Sequence, residues 1–105
     1  MTFDACTLPT AERPLRRAEF DALFRETLAQ AQRISPGHLR LILAGADDLE
    51  PRVRDLTARE QECCSFFTFT VATDAPGRLV LDIEVPPGRT AVLSGLETQA
   101  VRAKR

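Results

Sequence analysis

The sequence predicts an α+β protein, a two-layer sandwich in which three helices cover one face of a three-stranded, mostly antiparallel sheet. Apolar residues recur at intervals of three and four in three stretches, and they alternate with period two in three others. Between these stretches fall the turn-forming groups Ser35-Pro36-Gly37, Asp74-Ala75-Pro76-Gly77 and Pro86-Pro87-Gly88. At 105 residues, 44% apolar and 28% charged, the chain has the size and balance of an ordinary globular protein with one core. Residues 1–105 are therefore read as a single domain.

Each element has a local reason. Pro14 suits the first turn of a helix, and Phe20, Leu23, Phe24, Leu28 and Ala31 follow at helical spacing, so a first helix is expected from Pro14 to Arg33. His38 to Leu43 alternates as a strand, with Leu39, Leu41 and Leu43 on one face and His38, Arg40 and Ile42 on the other. Asp47 and Asp48 are candidate caps for a second helix, Leu49 to Cys64, along which Val53, Leu56, Glu60, Cys63 and Cys64 form one stripe. Phe67, Phe69 and Val71 share a face of the next strand. After the turn at Pro76-Gly77, Leu79, Leu81, Ile83 and Val85 alternate in its hairpin partner, leaving Asp82 and Glu84 for solvent. Thr90 is placed to cap a last helix carrying Val92, Leu93, Leu96 and Ala100. A short strand around Ala5 to Leu8 would extend the sheet to four strands.

Several function classes are disfavoured. A formal net charge of -1 gives no strong attraction for phosphate backbones or anionic lipid, so no nucleic-acid partner is expected. No apolar run approaches the roughly 18 to 20 residues of a membrane-spanning helix, and the N-terminus lacks the basic and apolar regions of an export signal. The expectation is a protein of the cytoplasm without a membrane partner, in which Cys6, Cys63 and Cys64 are free thiols or metal thiolates and not a disulfide framework. Phosphate-binding glycine loops, Cys-x-x-Cys pairs, nucleophile elbows and two-histidine helix motifs are absent from the sequence.

The segment that departs from core pattern is Glu60-Gln61-Glu62-Cys63-Cys64-Ser65-Phe66-Phe67. Glu60 precedes Cys63 by three residues and Cys64 by four, so a continuous helix puts all three side chains on one face. Glu60 stands where the stripe calls for an apolar residue, and a carboxylate there needs a cation, a metal or a proton. A disulfide between consecutive residues strains the intervening peptide bond, so the pair is better suited to holding a guest than to bonding itself. Thiolate sulfur prefers soft acceptors: copper(I), zinc, mercury(II) or arsenic(III), not magnesium or calcium. Cys6 would complete a trigonal site, whereas tetrahedral zinc would need a further donor such as His38 or Glu60. The expected metal ligands are Cys63, Cys64, Cys6 and Glu60. Against this stands the ordinary behaviour of free cysteine as a small buried hydrophobe. Phe67 and Phe69 are expected in the core, with Phe66 left to wall the thiol site.

The combination of Cys6-Thr7-Leu8, Leu39-Arg40-Leu41 and Glu60-x-x-Cys63-Cys64-x-Phe66-x-x-Phe69 resembles a group of small, largely uncharacterised bacterial proteins. It is similar also to segments attached to MerR-type heavy-metal regulators. The resemblance covers most of the chain and implies heavy-metal handling by Cys6, Glu60, Cys63 and Cys64. It departs from the regulators in that no helix-turn-helix precedes the domain, so a transcription factor is not expected.

Three functions follow as expectations. The first is binding of a thiophilic metal or metalloid ion for sensing, buffering or delivery. The second is a thiol-dependent enzyme that acts on an organometal or electrophile, with Glu60 moving a proton; it is ranked below simple binding. The third is a structural domain with core cysteines that self-associates as a homo-oligomer.

Overall fold

The computed structural model describes residues 14–45, 48–63 and 66–104, except for the side chains of 14–17, 63 and 104. In chain order the elements are α1 (Pro14–Thr27), β1 (Leu28–Ser35), β2 (His38–Ala44), α2 (Leu49–Cys63), β3 (Thr68–Ala75), β4 (Arg78–Glu84), a 3-10 turn (Pro87–Arg89) and α3 (Thr90–Lys104). The four strands form one antiparallel sheet in the order β1-β2-β4-β3. Two hairpins thus meet in the middle of the sheet. Because β2 and β3 both run antiparallel to β4, they are parallel to each other, and α2 connects them across the strand between. The chain is an α+β sandwich, as its periodicities predict.

The core lies between the helices and one face of the sheet. Leu39, Leu41 and Leu43 of β2 pair across the central ladder with Ile83, Leu81 and Leu79 of β4, and all six are buried. Such facing aliphatic pairs are the main stabilising unit of a sheet. Phe20, Leu23 and Phe24 cover them from α1, Leu49, Val53 and Leu56 from α2, and Leu93, Leu96 and Ala100 from α3. Each fully buried leucine or phenylalanine contributes about 1.5 to 3 kcal/mol by leaving water. The edge strands close the layer with half-buried Ala31, Phe69 and Val71. Gly77, at φ 72°, makes the β3–β4 turn that a side chain would strain.

The first helix is shorter than its sequence suggests. It ends at Thr27, and residues 28–33, expected as its last turns, belong to β1, an edge strand paired with β2 from Leu28↔Leu43 to Ser35↔His38. Thr27 Oγ1 donates to the Leu23 carbonyl at 2.6 Å, occupying a helix-end acceptor. The sheet's fourth strand is therefore β1; the segment Ala5 to Leu8, expected in that role, lies outside the described residues. Thr90 is not a cap either. The 3-10 turn precedes it, Pro86 holds the cap position without a side-chain bond, and Thr90 is already helical at φ -62° and ψ -26°.

Candidate metal site

The stripe Leu49, Val53, Leu56, Thr57 and Glu60 is the buried face of α2, and Glu60 is 0% exposed. Gln61 and Glu62, beyond it, are exposed. Cys63 is the last residue of α2, so Glu60 lies one helical turn before it, as the spacing requires. Cys64 and Cys6 lie outside the described residues, and for Cys63 only the backbone is described. Among the described residues, no three His, Cys, Asp or Glu side chains converge to hold a metal ion.

Beyond the helix end, Phe66 is half-buried and Phe67 is fully inside. The three rings form a ladder, with centroids 4.7 Å apart for Phe66 and Phe67 and 5.1 Å apart for Phe67 and Phe69. Phe67 and Phe69 join the core as the alternation predicts, Phe69 incompletely because β3 is an edge strand. Above Phe66 lies the guanidinium of Arg89, with its carbon 4.8 Å from the ring centroid. This is a cation–π geometry. The sheet explains how they meet: Thr68 pairs with Glu84, so the start of β3 and the end of β4 share one end of the sheet. The chain leaving β4 then turns through Pro87–Arg89 at that same end. The hairpin expected of β3 and β4 already puts Arg89 at the end of the sheet where Phe66 leads into β3, while the ring contact itself depends on how the Pro87–Arg89 turn folds.

His38, the reserve fourth donor, lies on the other face of the sheet from Glu60. It pairs with Glu84 on the sheet face opposite the helices, and its Nε2 is 2.7 Å from Asp82 Oδ1. Arg40 Nε donates to the same oxygen at 2.8 Å. Asp82, expected with Glu84 on the solvent face, is the hub of a cross-strand cluster there, with its side chain 19% exposed. Burial alone would raise the Asp82 pKa, but the hydrogen bonds and positive charge of Arg40 and His38 outweigh it and hold the carboxyl below its usual range. The signal for this cluster is visible in the sequence as cations at alternate positions of one strand and anions at alternate positions of another.

An open groove of about 230 Å³ between α1 and α2 is lined by Glu19, Ala22, Arg52, Asp55, Leu56 and Arg59. Arg59 spans it, 3.1 Å from Glu19 and 3.1 Å from Asp55. The hydrogen bond to Glu19, with the two nearby carboxylates, outweighs slight desolvation and raises the Arg59 pKa further. The charges of Arg59, Glu19 and Asp55 satisfy one another, and Glu60 is not among the described residues that line the groove.

No protein family, curated protein or solved structure matches the chain. In sequence, the adjacent cysteines fall between a fully buried carboxylate, Glu60, and an arginine-covered aromatic ring, Phe66. No described helix is long and apolar enough to cross a membrane.

Proposed function

We propose that the chain binds a thiophilic metal or metalloid ion through Cys63 and Cys64, with Cys6 as a third sulfur and Glu60 as the supporting carboxylate. The observation that carries this reading is the burial of Glu60, 0% exposed, one helical turn ahead of the cysteine pair. Placing a carboxylate out of water costs several kcal/mol that its partners must offset, and a glutamate kept there one helical turn ahead of two cysteines in sequence is what a role in their chemistry would explain. It has a chemical use there. Thiols bind metals only after losing protons, and an adjacent carboxylate can accept a proton or hydrogen-bond the ligand set. Copper(I), zinc, mercury(II) and arsenite are the guests that suit sulfur donors. A reducing cytoplasm is the compartment the reading requires, since the thiols must stay free.

The test is competition. Reduced protein is titrated with each ion in the presence of a small-molecule thiol, beside the Cys63→Ala/Cys64→Ser double variant. Retention by the wild type and loss in the variant supports binding; equal retention by both ends the proposal. The same Glu60 burial favours one second reading, in which the carboxyl group delivers its proton to carbon as a carbon–mercury bond breaks and the thiolates keep the metal. Turnover of an organomercurial, lost in Glu60→Gln while ion binding persists, would select it; absence of turnover would exclude it for that substrate.

A further inference from the structure

We propose that the sheet face turned away from the helices is the contact surface for a second copy of this chain, in a two-fold dimer held by reciprocal Arg40–Asp82 contacts. Its basis is the way charge is sorted on that face. The outward residues of β2 are His38, Arg40, Ile42 and Ala44, and those of β4, paired with them one for one, are Glu84, Asp82, Val80 and Arg78. At the first two levels Arg40 and His38 on β2 thus stand directly beside the carboxylates Asp82 and Glu84 on β4, with an apolar pair at the next level and Arg78 beside Ala44 at the last. The flanking strands present uncharged residues at these levels, Gln30 and Gln32 of β1 beside Ile42 and Arg40 and Thr68, Thr70 and Ala72 of β3 beside Glu84, Asp82 and Val80. At the far end of the face Asp74 of β3 pairs with Arg78 of β4, 3.0 Å apart.

This pattern is complementary to itself under one symmetry operation. A two-fold axis that runs along the strands between β2 and β4, above the sheet, keeps each residue's level and exchanges the two strands. It sets Arg40 of one protomer over Asp82 of its partner and Asp82 over the partner's Arg40. His38 meets Glu84 and Ile42 meets Val80 by the same operation, while Gln32 meets Thr70. No like charges are opposed at these levels. Aligned packing of two sheets is one of the two standard ways sheets stack, and a two-fold interface is the commonest in soluble homo-oligomers.

The hydrogen bonds within the chain leave the groups such a contact would use. Both His38 and Arg40 bond to Oδ1 of Asp82, so its Oδ2 remains as an acceptor. Arg40 uses only Nε, so both of its terminal nitrogens remain as donors, and its side chain is 40% exposed. A guanidinium edge and a carboxylate oxygen, each half-used, are what a partner's matching pair would complete. The face measures about 19 by 23 Å from the spacing of four strands and seven residues. That is small for a stable interface, so the dimer is expected to be weak and sensitive to salt.

Sedimentation velocity of the reduced full chain, from micromolar to near-millimolar concentration and at low and high salt, tests this. The wild type should dimerise, more weakly at high salt. Arg40→Asp and Asp82→Arg should each weaken self-association about tenfold or more, because each makes both central strands carry one sign. Mixed in equal amounts the two variants should recover the dimer, since every contact is then again between opposite charges. Circular dichroism checks that each variant is folded. Should either fail to fold, Thr70→Arg adds bulk and charge to the same face without touching the Arg40–Asp82 pair, and it too should weaken the dimer. A monomeric wild type overturns the proposal and leaves the face to water or to another partner. Unchanged dimerisation in Thr70→Arg, or a mixture of folded variants that stays monomeric, also overturns it.

Discussion

Arg33 Nη1 donates to Glu97 Oε1 at 2.8 Å, tying the edge strand β1 to α3 across sixty-four positions of sequence. The same guanidinium donates through Nη2 to the Pro36 carbonyl at 2.7 Å and through Nε to the Ser35 carbonyl at 3.1 Å. One side chain thus closes the β1–β2 turn and anchors a helix to it. Arg33→Ala should lower unfolding stability by about 2 kcal/mol, since charge-assisted bonds to partly shielded acceptors exceed ordinary surface pairs. Arg33→Lys should recover only part, because an ammonium cannot reproduce the fork. Urea unfolding of both variants measures this; a loss no larger than that of a surface pair would show that the contacts contribute little.

Arg33 also shows where sequence reasoning stops. The segment Leu28-Ala29-Gln30-Ala31-Gln32-Arg33 is made of good helix formers, and Leu28 and Ala31 fall at helical spacing after Phe24, so local preference favours continuing α1. The competing demand comes from β2. Its six ladder partners on β1 satisfy backbone groups that would otherwise lie at an open edge, and this long-range gain exceeds the modest cost of placing alanine and glutamine in a strand. Where no such conflict arises, as in α2, β2 and β4, period and turn residues gave the elements to within a residue or two.

The acid dependence of stability should report Asp82. Its folded pKa lies below the value in the unfolded chain, so its contribution is complete above about pH 4, the unfolded value, and is lost as pH falls through the lower folded value. Arg40 and His38 are the cations facing it, and Glu84 is the remaining carboxylate of the cluster, 3.8 Å from His38 Nδ1. In Asp82→Asn this part of the acid-induced loss should disappear. Urea unfolding at a series of acidic pH values compares the two proteins, and parallel stability profiles would contradict the assignment.

The glycines give a pair of opposite expectations. A Cβ on Gly37 would stand 2.8 Å from the Val85 carbonyl oxygen, whereas one on Gly95, within α3, would meet nothing within 4 Å. The close approach at Gly37 accompanies a backbone bond from Val85 N to the Gly37 carbonyl at 2.9 Å, so neither side yields without losing it. Gly37→Ala should cost about 1 to 3 kcal/mol, and Gly95→Ala should add about 0.5 to 1 kcal/mol by restricting the unfolded chain. Thermal unfolding that moves in the same direction for both would refute this account.

Of the candidate site, the sequence reveals the stripe but not its surroundings. Glu60 was identifiable because it interrupts an apolar face, and its complete burial follows from that position. Arg89 was legible only as far as the β3–β4 hairpin brings the end of β4 to the start of β3, and the Asp82 cluster only as alternating charges on two strands, because the pairing of β2 with β4 is determined by the folded sheet. Residues that act through helical periodicity are local and visible; those brought together by strand order are not.

Glu60 is where structural and chemical roles can be separated by measuring stability and affinity on the same variants. Glu60→Gln keeps the size and most of the hydrogen-bonding capacity of the side chain but removes its charge and its ability to take up a proton. If the carboxylate serves the ion, affinity should fall about 10- to 100-fold, while stability of the ion-free protein changes by less than about 2 kcal/mol. Leu56→Ala, one turn earlier on the same buried face, should behave in the opposite way, costing about 2 to 5 kcal/mol through the cavity it leaves and sparing affinity in the molecules that remain folded. A Glu60→Gln protein that loses stability like Leu56→Ala but binds the ion as tightly as the wild type would assign the carboxylate to the fold alone.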